Sequence, residues 1–98
     1  MLQKFHCMIR SFKNRRLKKL YEQGDGKKLP PEMVPRIEEI LGLLDVAMTV
    51  HDMDIPQFRL HPLKGSYEGF WAVTVRANWR IVFRFDDEPE DVDFIDYH

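Results

Sequence analysis

The chain closes on Asp96, Tyr97 and His98, and a second histidine, His61, stands in the stretch "HPLKG" with Lys64 three residues further on. Arginines recur through the same half, at positions 59, 76, 80 and 84. Together these side chains offer what metal-free cleavage of an RNA phosphodiester requires. A base takes the proton of the ribose 2′-hydroxyl, an acid protonates the departing 5′-oxygen, and guanidinium groups stabilise the extra charge on the phosphorane. Each acid or base contributes ~10²–10⁴ in rate. Arginine suits the phosphate because its fork matches two oxygens at once.

Taken singly the same residues have plainer readings. An exposed histidine is commonly just surface, and an arginine stripe commonly keeps a protein soluble or meets a partner. The four histidines show no close ligand spacing and the single cysteine, Cys7, supplies no thiolate cluster, so neither a metal nor a cofactor is expected. Gly-rich phosphate loops, nucleophile elbows and kinase motifs are absent from the sequence.

Positioning these groups falls to a helical half followed by a β-rich half. "MIRSF" alternates and predicts a short first strand. Asn14 then caps a helix whose Leu17, Leu20 and Tyr21 share a face and which stops at Gly24. In "PPEMVPRIEEILGLLDVAM" the residues Val34, Ile37, Leu41, Leu44 and Met48 are spaced as one buried stripe, with Pro35 still in the first turn. After the loop "HDMDIPQ" come four β-like runs, "FRLHPL", "FWAVTVR", "WRIVFRF" and "DVDFID". They are separated by "KGSYEG", "AN" and "DDEPE", links short enough to favour antiparallel neighbours. The expected architecture is α+β: a short first strand, then two N-terminal helices packed on a twisted antiparallel sheet.

Alternation sorts that sheet into a floor for the helices, carrying Phe58, Leu60, Trp79, Ile81, Phe83 and Phe85, and an opposite face presenting Arg59, His61, Arg76, Arg80 and Arg84. By the same rule Asp96 and His98 share a face and Tyr97 points away, unless the chain end twists. Trp71 and Trp79 read as core, Gly65 and Gly69 as turn residues, and Asn78 as a hairpin position tolerating positive φ.

With 98 residues the chain holds one domain, expected at 8–98, with 1–7 as an extension or alternative start. The net charge of −1 hides segregation: "RSFKNRRLKK" carries six cations and no acid, "DDEPEDVDFID" seven acids and no cation. Each run alone could be a solvated surface. One cysteine permits no internal disulfide, which suits a reducing, cytoplasmic setting, and no run of about 18 apolar residues suggests a membrane span.

The spelling of several segments goes further. "MIRSFKNRRLKKLYEQG", "RLHPLKG", "EGFWAVTVRANWRIVFRF" and the terminal "DYH" closely resemble HigB, the host-inhibition toxins of the RelE/ParE superfamily, from Met8 to His98. The resemblance implies a compact RelE-like domain acting as the toxin of a type II toxin-antitoxin pair, an endoribonuclease that cuts messenger RNA in the ribosomal A site. It implies as partners the ribosome with its message and a HigA-like helix-turn-helix antitoxin, with DNA met only through that antitoxin. Carried over residue by residue, it points to His61, Asp96 and His98 as the proton-handling group, Tyr97 as the residue that positions or stacks the nucleotide, and Lys64 and Arg80 as phosphate stabilisers. Arg76 is an RNA-backbone candidate. The cations of the first helix, Arg15, Arg16, Lys18 and Lys19, are expected to face ribosomal RNA, the alternative being a solvated surface. The rival function keeps the fold without the enzyme: a ParE-like toxin that binds a host target such as gyrase.

Overall fold

The computed structural model describes residues 9–97. The expected extension at 1–7, Met8 of the first strand and the terminal His98 lie outside the described residues. Helix α1, Arg15–Gln23, begins where Asn14 Oδ1 accepts the Leu17 N–H at 3.1 Å and ends at Gly24, whose φ of 70° sets the left-handed cap. Leu17 and Leu20 are its buried face. Helix α2, Val34–Val46, starts with Pro35 in its first turn and buries Ile37, Ile40, Leu41 and Leu44. Met48 does not join that stripe as expected: the helix has ended, the backbone is extended at Ala47, and Met48 is 69% exposed. Tyr21 Oη donates a short hydrogen bond to Asp45 Oδ1 and so clasps α1 to α2. Burial, then this bond, pushes the phenol up to about 12.

The sheet is an antiparallel meander, β1 His61–Pro62, β2 Trp71–Arg76, β3 Trp79–Asp86 and β4 Glu88–Asp96, in that spatial order. The run "FRLHPL" is mostly not strand. Pro56–Phe58 forms a 3-10 turn and Arg59 takes a left-handed φ of 53°, so only His61 and Pro62 pair with β2. Phe58 and Leu60 still pack into the main core. The expected "DDEPE" turn contracts to Asp87, at φ 70°, and Glu88, Pro89 and Glu90 enter β4. The predicted first strand shrinks to one parallel bridge, Phe12 with Val92, flanked by Arg10 N–H to Pro89 O at 2.8 Å and Lys13 N–H to Val92 O at 2.8 Å. Those bonds cover the outer edge of β4, which would otherwise offer unpaired backbone groups.

Two bulges set which side chains meet. Val75 is the extra residue between the pairs Thr74–Arg80 and Arg76–Trp79, and a left-handed Asp91 (φ 54°) marks the shift between Val82–Asp93 and Arg84–Glu90. Main-core side chains Val73, Val75, Ile81, Phe83, Val92 and Phe94 face the helices. The opposite face carries a smaller apolar cluster of Leu63, Phe70, Ala72 and Val82, with Tyr67, Ile95 and Tyr97 against it. In the β2–β3 turn the positive φ falls on Ala77, at 52°, rather than on Asn78. Gly65 and Gly69, at φ 68° and 92°, bracket the loop before β2.

Candidate active site

Residues paired across antiparallel strands point to the same side of a sheet, so the register builds the open face row by row. One row reads His61, Ala72, Val82, Asp93, and the next Thr74, Arg80, Ile95. His61 therefore stands at one margin of this face with Arg80 one row along. Its Nδ1 lies 2.8 Å from the Arg59 carbonyl oxygen, which can only accept, so Nδ1 carries a proton and Nε2 is the ring nitrogen left to hold a lone pair. The left-handed turn at Arg59 aims that carbonyl. Such an imidazole is oriented to take a proton through Nε2.

Arg80 folds back over the β2–β3 turn, donating from Nη1 to the Ala77 carbonyl and to the Trp79 carbonyl at 3.3 Å. Its Nε is buried with no hydrogen-bond partner among the described residues, and so is Thr74 Oγ1, directly opposite in the register. Tyr97 N–H donates to the Asn78 carbonyl at 2.8 Å, tying the chain end to the same turn. The Tyr97 ring packs on the open-face cluster and meets Tyr67 edge to face, centroids 6.3 Å apart. Lys64 is exposed at the start of the 3-10 turn Gly65–Tyr67, beside His61 in the chain. Beyond it, Arg84 stacks on Phe70 with its guanidinium carbon 4.8 Å from the ring centre, and Lys13 reaches the same ring at 5.7 Å. A side chain at Gly69 would press on that guanidinium, since an added Cβ would lie 3.0 Å from Arg84 Nη1.

Register separates what spacing grouped. Tyr97 sits with the open-face cluster, whereas Asp96 pairs with Trp79, whose ring packs at the main core, stacked 4.8 Å from Phe94. Asp96 thus falls on the helix side at the end of the sheet. The Val75 bulge takes Arg76 off the open face as well, pairing it with Trp79, a correction to the simple alternation that had placed it beside Arg80. Arg59, expected on the same face, contributes its carbonyl from a turn instead. Of the five residues that alternation put there, His61, Arg80 and Arg84 stand on it. Tyr67, Phe70 and Thr74 also belong to this face; only the alternation Phe70, Ala72, Thr74 hinted at two of them.

The α1 cations occupy the other layer. Arg15, Arg16, Lys18 and Lys19, with Lys28, line a shallow cleft of about 320 Å³ that also includes Glu22, Gln23 and Asp25. Lys19 reaches Asp25 at 3.7 Å and Arg16 donates to the Lys28 carbonyl at 3.4 Å. The acidic run is partly neutralised by cations outside α1: Arg10 meets Glu88 at 3.1 Å and Glu90 at 3.5 Å, and Arg84 meets Asp91 at 3.7 Å.

This fold has a counterpart, and the sequence has relatives. A solved YoeB/ParE toxin from Agrobacterium tumefaciens superposes with a TM-score of 0.51 over 93% of this chain and 98% of that one, at 17% identity, a likeness of fold. Endoribonuclease HigB of Proteus vulgaris is 42% identical over 92 residues, 93% of this chain and 100% of that protein. The family model for RelE-like toxins of the type II toxin-antitoxin system HigB matches residues 10–98. With two helices on a four-stranded antiparallel sheet and a match over nearly its whole length, the chain belongs to the HigB family of type II toxin-antitoxin toxins.

Proposed function

We propose that this HigB-family endoribonuclease cuts messenger RNA in the ribosomal A site by metal-free attack of the 2′-oxygen on the adjoining phosphorus. The observation that carries the reading is His61, its Nδ1 proton engaged by the Arg59 carbonyl and its Nε2 left to accept, on the same sheet face as Arg80 and Tyr97. In this scheme Nε2 takes the 2′-hydroxyl proton and the 2′-oxygen attacks phosphorus. The bond to the 5′-oxygen then breaks, leaving a 2′,3′-cyclic phosphate and a 5′-hydroxyl. His98, at the chain end, is the candidate for returning a proton to the leaving oxygen, and Asp96, on the helix side, the candidate for orienting an imidazole rather than touching substrate. Arg80 and Lys64 stabilise the phosphorane, and Tyr97 stacks the nucleotide. Arg76 and the α1 cations Arg15, Arg16, Lys18 and Lys19 hold RNA backbone, so the enzyme presents charge to the ribosome from both layers.

As a toxin of a type II pair the protein has an antitoxin. We assign that role to a HigA-like helix-turn-helix protein, through which alone the pair meets DNA, and place the activity in the cytoplasm where ribosomes work. No helix among the described residues is long and apolar enough to cross a membrane. The gyrase-binding alternative draws on fold likeness alone, whereas the relative 42% identical over 92 residues is an endoribonuclease.

The test is cleavage of a defined message, naked and on programmed ribosomes, by untagged wild type and by His61→Ala. Cutting of only the ribosome-bound message, lost in a folded His61→Ala variant, is expected. Growth arrest without cleavage of either substrate would return the gyrase-type reading.

A further inference from the structure

Thr74 and Arg80 face each other across β2 and β3, and each holds a buried polar atom without a partner among the described residues. A strand hydroxyl ordinarily finds a carbonyl or a neighbouring side chain; left unmade, it destabilises the fold, and valine would fill the same volume without that cost. The adjacent Arg80 repeats the pattern. Its Nη1 is engaged by the turn carbonyls of Ala77 and Trp79, while the opposite edge of the planar guanidinium, Nε with Nη2, is the one that grips two oxygens side-on. Its Nε has no acceptor among the described residues. Ile95, the third member of the row, brings none. The pair is therefore a set of donors awaiting an acceptor with several oxygens, one row from His61.

We infer that Thr74 is a further catalytic residue: its hydroxyl and the Nε edge of Arg80 together bind the non-bridging oxygens of the scissile phosphate, gripping it from two strands. The inference rests on the open face being the active site, as proposed above. In the free protein Arg80 is parked on the β2–β3 turn and both donor atoms are shielded. The substrate phosphate draws the guanidinium off the turn carbonyls and exposes the Thr74 hydroxyl to the same oxygens. Two neutral carbonyl acceptors are exchanged for an anionic one, which a guanidinium bonds more strongly. As negative charge grows on those oxygens the threonine bond strengthens, so its contribution falls mainly on kcat rather than KM.

Untagged Thr74→Val, Thr74→Ser, Thr74→Ala and Arg80→Ala proteins, assayed on a message held by programmed ribosomes and melted in parallel, test the assignment. Thr74→Val is expected to cut on the order of 10²-fold more slowly, with KM near the wild-type value and a melting temperature no lower. Thr74→Ser, which keeps the hydroxyl, should recover most of the rate. Wild-type turnover by Thr74→Val, with Arg80→Ala slow, would overturn the role of Thr74 and leave the site standing. Wild-type turnover by Arg80→Ala would remove the site and this inference together. Should Thr74→Val fail to fold, the Ser and Ala variants decide: equal rates overturn the assignment, and a faster Ser variant supports it.

Discussion

The two faces of one sheet use the same strands for opposite ends. Toward the helices, eighteen buried residues among those described form a continuous core in which Val73, Ile81, Phe83 and Val92 are fully buried and Trp79 stacks on Phe94. Toward the open side Leu63, Phe70, Ala72 and Val82 are the buried apolar residues among those described, rimmed by His61, Tyr67, Arg80, Arg84 and Tyr97, with two buried polar atoms that have no hydrogen-bond partner among the described residues. The contrast teaches a division of labour. Apolar burial on one side supplies the stability that lets the other carry cations and unpaired donors.

That division can be broken most sharply by one substitution on each face. Phe83→Ala should cost about 3–5 kcal/mol by chemical denaturation and take activity down with the fold. His61→Ala should slow cleavage by ~10²–10⁴ while leaving stability within roughly 0.5 kcal/mol. If His61→Ala unfolded the protein, or Phe83→Ala left it as stable as wild type, the two faces would not be separable.

A second contrast sets the α1 layer against the open face. Replacing Arg15, Arg16, Lys18 and Lys19 together with Gln should weaken ribosome association and flatten its dependence on salt, by roughly 0.7–0.9 in logarithmic slope for each RNA phosphate no longer neutralised. The cleavage step itself, measured at saturating enzyme, should be unchanged. Unaltered affinity and slope would leave that cleft as solvated surface.

The smallest effect sharpens the helical side. Tyr21→Phe removes the clasp to Asp45 and should cost about 1 kcal/mol. The folded-state value of Tyr21, about 12, lies above its ordinary 10.0, so the neutral phenol is the form the fold favours. Its stabilisation is complete below pH 10 and is lost as pH rises toward 12. Denaturation curves across that window should decline for wild type more than for Tyr21→Phe, and identical declines would discount the clasp.

Much of this was legible in the residues. Asn14 and Gly24 bounded α1 because a capping oxygen and a left-handed glycine satisfy backbone groups locally. Ile81 and Phe83 marked the buried face of β3 because a strand's side chains alternate. Met48 and the "FRLHPL" run departed from expectation for a shared reason: a hydrophobic pattern continues past the point where the backbone turns away, here at Ala47 and at the left-handed Arg59. The acidic run read as a turn followed by a strand. Its first residues became strand because the β3–β4 turn needs only Asp87 in a left-handed conformation and Arg10 stands ready for Glu88 and Glu90.

What the sequence by itself determined about this protein is its α+β order, the caps of its first helix, its family and the chemical types at hand. The tertiary structure alone decided which of those groups meet. A single extra residue at Val75 turns Arg76 from the open face to the Trp79 side, and the register of β3 with β4 seats Tyr97 rather than Asp96 with the open-face cluster. Alternation defines two faces within a strand, but one bulge reverses their parity, and where a bulge falls depends on pairing with residues far along the chain.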